Sequence, residues 1–164
     1  MGPKAETFLY KSAIGNIFCT FEGDFLVDVS VGENESGNHV SEKTSKTATL
    51  FFKELDDYFK SDLRKFKQKI KFLIGTPFER QIWLALKNIP CGEVRTYKWI
   101  AEQAGSAAAV RAAGQALKKN PLPIILPCHR IVASNGGIGG FSCGVEKKIW
   151  LLRHEGVLCG LRLR

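Results

Sequence analysis

Hydrophobic and polar positions change their period along the chain, and the changes mark its elements. Asn16 to Thr20 and Phe25 to Val31 alternate around Glu22-Gly23-Asp24, which predicts two strands joined as a hairpin. Gly32 to Thr44 is polar and contains glycine, so it reads as a loop. From Ser45 to Phe59 the period lengthens, with Leu50, Phe51, Leu55, Tyr58 and Phe59 at helical spacing, and the helix should pack on the sheet. Lys65 to Phe72 alternates lysine with Phe66, Ile70 and Phe72, the pattern of an exposed edge strand whose lysines discourage pairing with another chain. No chemically suggestive cluster occurs in this half.

A boundary falls at Gly75. Thr76-Pro77-Phe78-Glu79 supplies a capping hydroxyl, proline at the first helical position and glutamate at N3, so a helix should run from there to Ile89. After a turn at Pro90, Cys91 and Gly92, Thr96 caps a short helix through Gln103, with Trp99 and Ile100 facing inward. Gly105 ends it, and Ser106 is expected to cap the next helix, Ala107 to about Lys119. Two short helices across a glycine turn give the layout of a helix-turn-helix. The second is rich in alanine, with Arg111 and Lys118 two turns apart. It has few side chains long enough to read base edges in a major groove, whereas small residues let a backbone approach a minor groove closely.

Composition adds three constraints. Hydrophobic residues at 45% and charged residues at 24% describe a folded chain, long enough at 164 residues for two small domains, taken here as 1–74 and 75–164. No apolar run approaches the roughly 20 residues of a membrane span, and the N-terminus lacks a secretory pattern, so a reducing compartment is expected. Five cysteines (Cys19, Cys91, Cys128, Cys143 and Cys159) without a C-x-x-C pair indicate neither a disulfide framework nor a zinc ribbon. The net charge of +8 is uneven: residues 1–74 hold 11 Lys/Arg against 11 Asp/Glu, and residues 75–164 hold 13 against 5. The entire excess therefore lies in the second half, which suggests a polyanionic partner.

Asn120-Pro121-Leu122-Pro123 stops the second helix, and Ile124 to Leu126 leads into Pro127-Cys128-His129-Arg130. A cysteine flanked by His and Arg in a basic half is placed to ionise, making Cys128 a candidate nucleophile. Taken alone, such a pair is more often a buried, inert thiol beside a satisfied histidine.

The wider pattern decides between these readings. Pro127-Cys128-His129-Arg130 followed by Ile131-Val132 resembles the active-site signature of the O6-alkylguanine-DNA alkyltransferases. The resemblance extends from Phe78 through Gly92-Glu93-Val94, Tyr97, Ala101, Gly105, Arg111, Ala112, Asn120-Pro121 and Pro123 to Trp150-Leu151-Leu152 and His154-Glu155-Gly156. It implies an α/β N-terminal domain, a small antiparallel sheet plus helix of ribonuclease H-like character, followed by a mostly α, winged helix-turn-helix domain. It implies direct-reversal DNA repair in which an alkyl group passes irreversibly from O6-alkylguanine, and from O4-alkylthymine in some cases, to Cys128.

By the same resemblance, His129 activates Cys128 through a water and Glu155 orients the imidazole. Tyr97 rotates the flanking phosphate and protonates the departing guanine, while Asn120 braces the active-site loop. Arg111 fills the space of the flipped base, with Ser106, Lys118 and Ser134 also assigned to DNA. The base would meet backbone groups of Cys128, Ile131 and Ser142, an aromatic wall at Phe141 and an apolar side at Leu117. Phe141 stands where some members carry tyrosine. Cys143 replaces a glycine common at the rim, which predicts restricted access for bulky O6-substituents.

The implied partner is double-stranded DNA containing O6-alkylguanine, bound through the minor groove by a monomer without contact to membrane. The compartment would be the cytoplasm in a prokaryote or the nucleus in a eukaryote. No cofactor is expected and no metal, since Cys19 and His39 complete no ligand set. The principal alternative is a non-repairing, alkyltransferase-like damage binder, but such proteins lack the acceptor cysteine. A winged-helix regulator would need a helix that reads sequence. A cysteine hydrolase usually draws its base from a distant position.

Overall fold

The computed structural model describes residues 2–34 and 37–157. Cys159 lies outside them. The chain divides into two compact units, Met1–Leu73 and Ile74–Arg164.

The first unit is a three-stranded antiparallel sheet in the order β1 (Ala5–Ser12), β2 (Gly15–Glu22), β3 (Phe25–Val31), with helix α1 (Lys46–Phe59). The expected hairpin is β2–β3, and Gly23 takes the left-handed backbone (φ 58) that its tight turn requires. Strand β1 had no counterpart in the pattern reading. It buries adjacent Thr7 and Phe8, which breaks alternation, and Thr7 is satisfied by a buried hydroxyl contact with Thr20 at 2.8 Å. Ser45 caps α1 by accepting from Ala48 N, and the helix buries Ala48, Phe51, Leu55 and Tyr58. Leu50 instead faces outward, 58% exposed, because it lies off the stripe defined by Phe51, Leu55 and Tyr58.

The expected edge strand at Lys65 to Phe72 is reduced to a bridge between Ile70 and Leu26. Its backbone pairs with β3 only through Leu26 N to Lys69 O and Lys71 N to Leu26 O. Nearby amides turn elsewhere: those of Lys67 and Gln68 donate to the Glu54 carboxylate, so the ladder does not propagate.

The second unit begins with α2 (Pro77–Ala85), whose Thr76–Glu79 capping box forms as the sequence requires. The helix tightens into a 3-10 turn at Leu86–Asn88, so regular α structure stops short of Ile89. Strand β4 (Arg95–Thr96) pairs in parallel with β5 (Ile131–Val132). Helices α3 (Tyr97–Gln103) and α4 (Val110–Lys118) follow β4, and α5 (Val145–His154) comes last. Thr96 caps α3 through Trp99 N. Ile100 is fully buried, but Trp99 is only half-buried, lying beneath Arg95 at 5.7 Å from its ring centre.

Gly105 permits the turn after α3 with φ +88. Ser106 does not cap α4. Its carbonyl accepts from Ala109 N in a separate turn, and α4 starts at Val110 with Ala109 at the cap and no capping side chain. Trp83, fully buried, donates its indole N–H to Ala116 O at 2.7 Å and ties α2 to α4.

Candidate functional site

The segment between α4 and β5 is held by side-chain substitutes for backbone pairing. Asn120 donates to Leu126 O at 2.8 Å and accepts from Leu122 N at 3.0 Å, closing a loop around two prolines that cannot donate. Within that loop Ile124 adopts φ 76, costly for a β-branched residue and sustained by its burial at 1% exposure. The loop delivers Cys128–Arg130 as a single 3-10 turn.

Cys128 reaches a cavity of about 250 Å³ also lined by Tyr97, Arg111, Gly114, Gln115, Leu117, Lys118, Gly140, Phe141 and Ser142. Six further residues nominated from sequence thus line the same cavity as the candidate nucleophile: Tyr97, Arg111, Leu117, Lys118, Phe141 and Ser142. Arg111 and Lys118 are exposed, whereas Leu117 is buried. Gly114 and Gln115 were not foreseen. Gly114 sits on the Tyr97 side of α4, where an added Cβ would lie 4.0 Å from the ring.

Six nominated residues fall outside the lining. Asn120, His129, Ile131 and Glu155 are buried, Ser106 is half-buried, and Ser134 is exposed in the turn after β5. His129 Nε2 lies 2.8 Å from Glu155 Oε1, and the His129 ring meets Phe141 edge-on with centres 6.3 Å apart. Arg130 grips the same carboxylate with Nε and Nη2, both at 2.9 Å, and gives Nη1 to Ile89 O at 2.7 Å. Although burial opposes its charge, hydrogen bonds from His129 and Arg130 and the positive charge of Arg130 hold the Glu155 carboxyl well below the usual carboxylate range. Burial lowers the His129 pKa despite the opposing pull of Glu155.

These directions fix the imidazole's form. An ionised carboxylate only accepts, so a neutral ring must carry its proton on Nε2 and present Nδ1 as a lone pair. Nδ1 is the only buried side-chain nitrogen or oxygen without a hydrogen-bond partner among the described residues.

The Cys128 thiol departs from expectation. Burial pushes its pKa up to about 11, and Asn120 and Lys148 offset only part of this. The neighbouring arginine does not supply the anticipated thiolate field, because its guanidinium is committed to Glu155. A positive charge comes instead from Lys148 on α5, which sequence reading did not nominate. Lys148 is fully buried, donates to Ile131 O at 2.5 Å and Gly140 O at 3.0 Å, and has its own pKa lowered to about 8 by burial. It joins β5, which follows the nucleophile's turn, to the cavity rim. In sequence it was one of two adjacent lysines on an amphipathic helix, with nothing to distinguish it from a solvated neighbour.

Tyr97 completes the rim. Burial raises its phenol pKa, and an added Cβ at Gly139 (φ +74) would come within 2.6 Å of its Oη, so only glycine fits beside it. A half-buried Cys143 follows Ser142 at the rim.

Comparison with known proteins accords with this geometry. Residues 77–157 match the family described as 6-O-methylguanine DNA methyltransferase, DNA binding domain. A methylated-DNA--protein-cysteine methyltransferase of Salmonella typhimurium is 46% identical over 105 residues, 64% of this chain, and the match spans 61% of that relative's length. One from Methanosarcina acetivorans is 35% identical over 151 residues, covering 90% of this chain and 96% of the relative. Among solved structures, Mycobacterium tuberculosis OGT in complex with DNA superposes with a TM-score of 0.84 at 33% identity, covering 92% of each chain. With likeness at this level extending through both units, the chain belongs to the methylated-DNA--protein-cysteine methyltransferase family.

Proposed function

We propose that the protein repairs alkylated DNA by moving the alkyl group of an O6-alkylguanine stoichiometrically and irreversibly onto Cys128. The observation that carries this reading is Cys128 in the cavity wall, followed directly by a buried His129 whose Nε2 is engaged by Glu155 and whose Nδ1 is unpartnered. A thiol with a pKa near 11 needs help to react at neutral pH. Each unit of pKa is worth about 1.4 kcal/mol, so unassisted ionisation at pH 7.5 costs about 5 kcal/mol. A neutral imidazole with a free lone pair answers that need, taking the proton through one water.

The sulfur then attacks the alkyl carbon in line. An S–C bond forms as the C–O6 bond breaks, and the electron pair leaves with guanine, which is protonated from Tyr97. The thioether offers no good leaving group, so the protein is consumed in one turnover, and no cofactor enters the scheme.

A base inside a duplex cannot reach a cavity of this kind, so the lesion nucleotide is flipped into it. Arg111 occupies the vacated stack, and Phe141 and Leu117 flank the base. Carbonyls of Cys128 and Ile131 and the amide of Ser142 address its polar edge, with Lys148 bonded to the Ile131 carbonyl and Asn120 to the loop that precedes Cys128. Ser106, Lys118 and Ser134 contact the strand. On α4, exposed Ala112 and half-buried Gly114 lie between the exposed cations Arg111 and Lys118, which supports minor-groove entry by a monomer, with little sequence preference. We assign a ribonuclease H-like fold to the first unit and a winged helix-turn-helix to the second, with the first serving structure and the second chemistry.

The reading is tested with a duplex carrying one O6-methylguanine with a radiolabelled methyl group. Label should pass to protein and saturate at one methyl per chain, and Cys128→Ala should bind the duplex without accepting label. Tight lesion binding without transfer by the unaltered chain would identify a damage binder instead.

A further inference from the structure

Arg64 to Lys71 reads Arg-Lys-Phe-Lys-Gln-Lys-Ile-Lys, an unbroken alternation that the cavity and its chemistry leave unused. Lys65, Lys67, Lys69 and Lys71 are all exposed, while Phe66, Gln68 and Ile70 between them are half-buried. After bends at Arg64 and Lys65 the segment runs to Lys71 without a further turn and is held along its length. Phe66 packs against Tyr58 and Phe51 with ring centres at 5.5 and 6.1 Å, and Gln68 donates to Asp24 O at 2.8 Å. Backbone bonds to Leu26 hold its other end.

Lys71 is paired with Glu22 at 3.0 Å, whereas Lys65, Lys67 and Lys69 make no ion pair among the described residues. In an extended chain, alternate residues lie roughly 6.5 Å apart, so the four lysines form a row of roughly 20 Å. Phosphates of one DNA strand advance about 3.4 Å each along the duplex axis while turning about it, which sets neighbours roughly 7 Å apart along the strand, close to the lysine spacing.

We propose that Lys65, Lys67 and Lys69 form a second contact with the DNA backbone, carried by the first unit and indifferent to sequence. The partner is a duplex and not a single phosphorylated group, because a rigid, evenly spaced row of cations matches a regular line of anions. The balanced total charge of residues 1–74 conceals this row, which two carboxylates adjoin in space: Glu54 accepts from the Lys67 and Gln68 amides, and Glu22 pairs with Lys71. The inference rests on the DNA-repair reading for its choice of polyanion.

The test is the salt dependence of binding to an undamaged duplex, measured by fluorescence anisotropy on the full chain. Each neutralised phosphate contributes about 0.9 to the slope of log K against log salt, so K65Q/K67Q/K69Q should lower the slope by about 2.7, and each single variant by about 0.9. K65R/K67R/K69R should keep the unaltered slope. Melting temperature and methyl transfer at saturating DNA in low salt should be the same in all variants. An unchanged slope in the triple glutamine variant, with unaltered protein binding normally, would overturn the lysine row and leave the repair reading standing. Absence of salt-dependent DNA binding by the unaltered chain would overturn both.

Discussion

Glu155→Gln separates the buried charge cluster from the chemistry it supports. The Glu155 side chain is 1% exposed and accepts from His129 and twice from Arg130, whose side chain is 8% exposed. The amide keeps one carbonyl oxygen but loses the charge, stranding a guanidinium that water barely reaches. Breaking one side of such a pair costs about 3–5 kcal/mol, and the retained acceptor places this variant near about 3 kcal/mol. For a chain of this size that is a fall in melting temperature of roughly 6–12 °C.

The pH dependence carries the sign. Because the folded carboxyl is held below its ordinary pKa of about 4.3, its stabilisation is complete above that pH and is lost as the pH falls toward the folded value. Thermal unfolding of both proteins from pH 7 to pH 3 should show a full gap at pH 7 and pH 5.5 that narrows below about pH 4. Arg130→Met in the Glu155→Gln background should restore more than half of the loss by removing the stranded cation. A gap below about 1 kcal/mol at pH 7, or one that stays constant down to pH 3, would refute the reasoning.

Three other outcomes follow from the site. Labelling of the Cys128 peptide by iodoacetamide should be slow at pH 7.5 and climb toward a midpoint near pH 11, and a midpoint near 8.5 would contradict a desolvated thiol. Lys148→Met should leave the carbonyls of Ile131 and Gly140 without their donor, at about 1–3 kcal/mol each. Methyl transfer from a lesion oligonucleotide should then slow at least about tenfold, since 1.4 kcal/mol is a factor of ten, and an unchanged single-turnover rate would exclude Lys148 from positioning. Gly139→Ala should force Tyr97 from its place and strain the backbone by about 1–3 kcal/mol, lowering both melting temperature and transfer rate. Normal values for both would show that the rim accommodates the methyl.

Much of this was legible from local chemistry. The Thr76–Glu79 box, the Thr96 cap and the Gly23 turn are short-range patterns that form as written, because their partners lie within a few residues. Strand β1 was missed because Thr7 is buried by a partner thirteen residues away, which no alternation in its own segment reveals. Ser106 looked like a cap, yet an intervening turn moved the helix start to Val110.

At the site, the motif around Cys128 singled out the nucleophile, but its electrostatics were misjudged from adjacency. Arg130 follows His129 in sequence and spends its charge on Glu155, while Lys148 arrives from α5. Depth of burial, which pushes the thiol up and makes a base necessary, is a property of the packed unit and not of any four residues.

The central claim is most directly tested by intact mass and peptide mapping after mixing the protein with a duplex containing one O6-methylguanine. Transfer to Cys128 requires a stoichiometric gain of one methyl group on the peptide containing Cys128, absent in Cys128→Ala. Unchanged mass, or a methyl group on another residue, would contradict it.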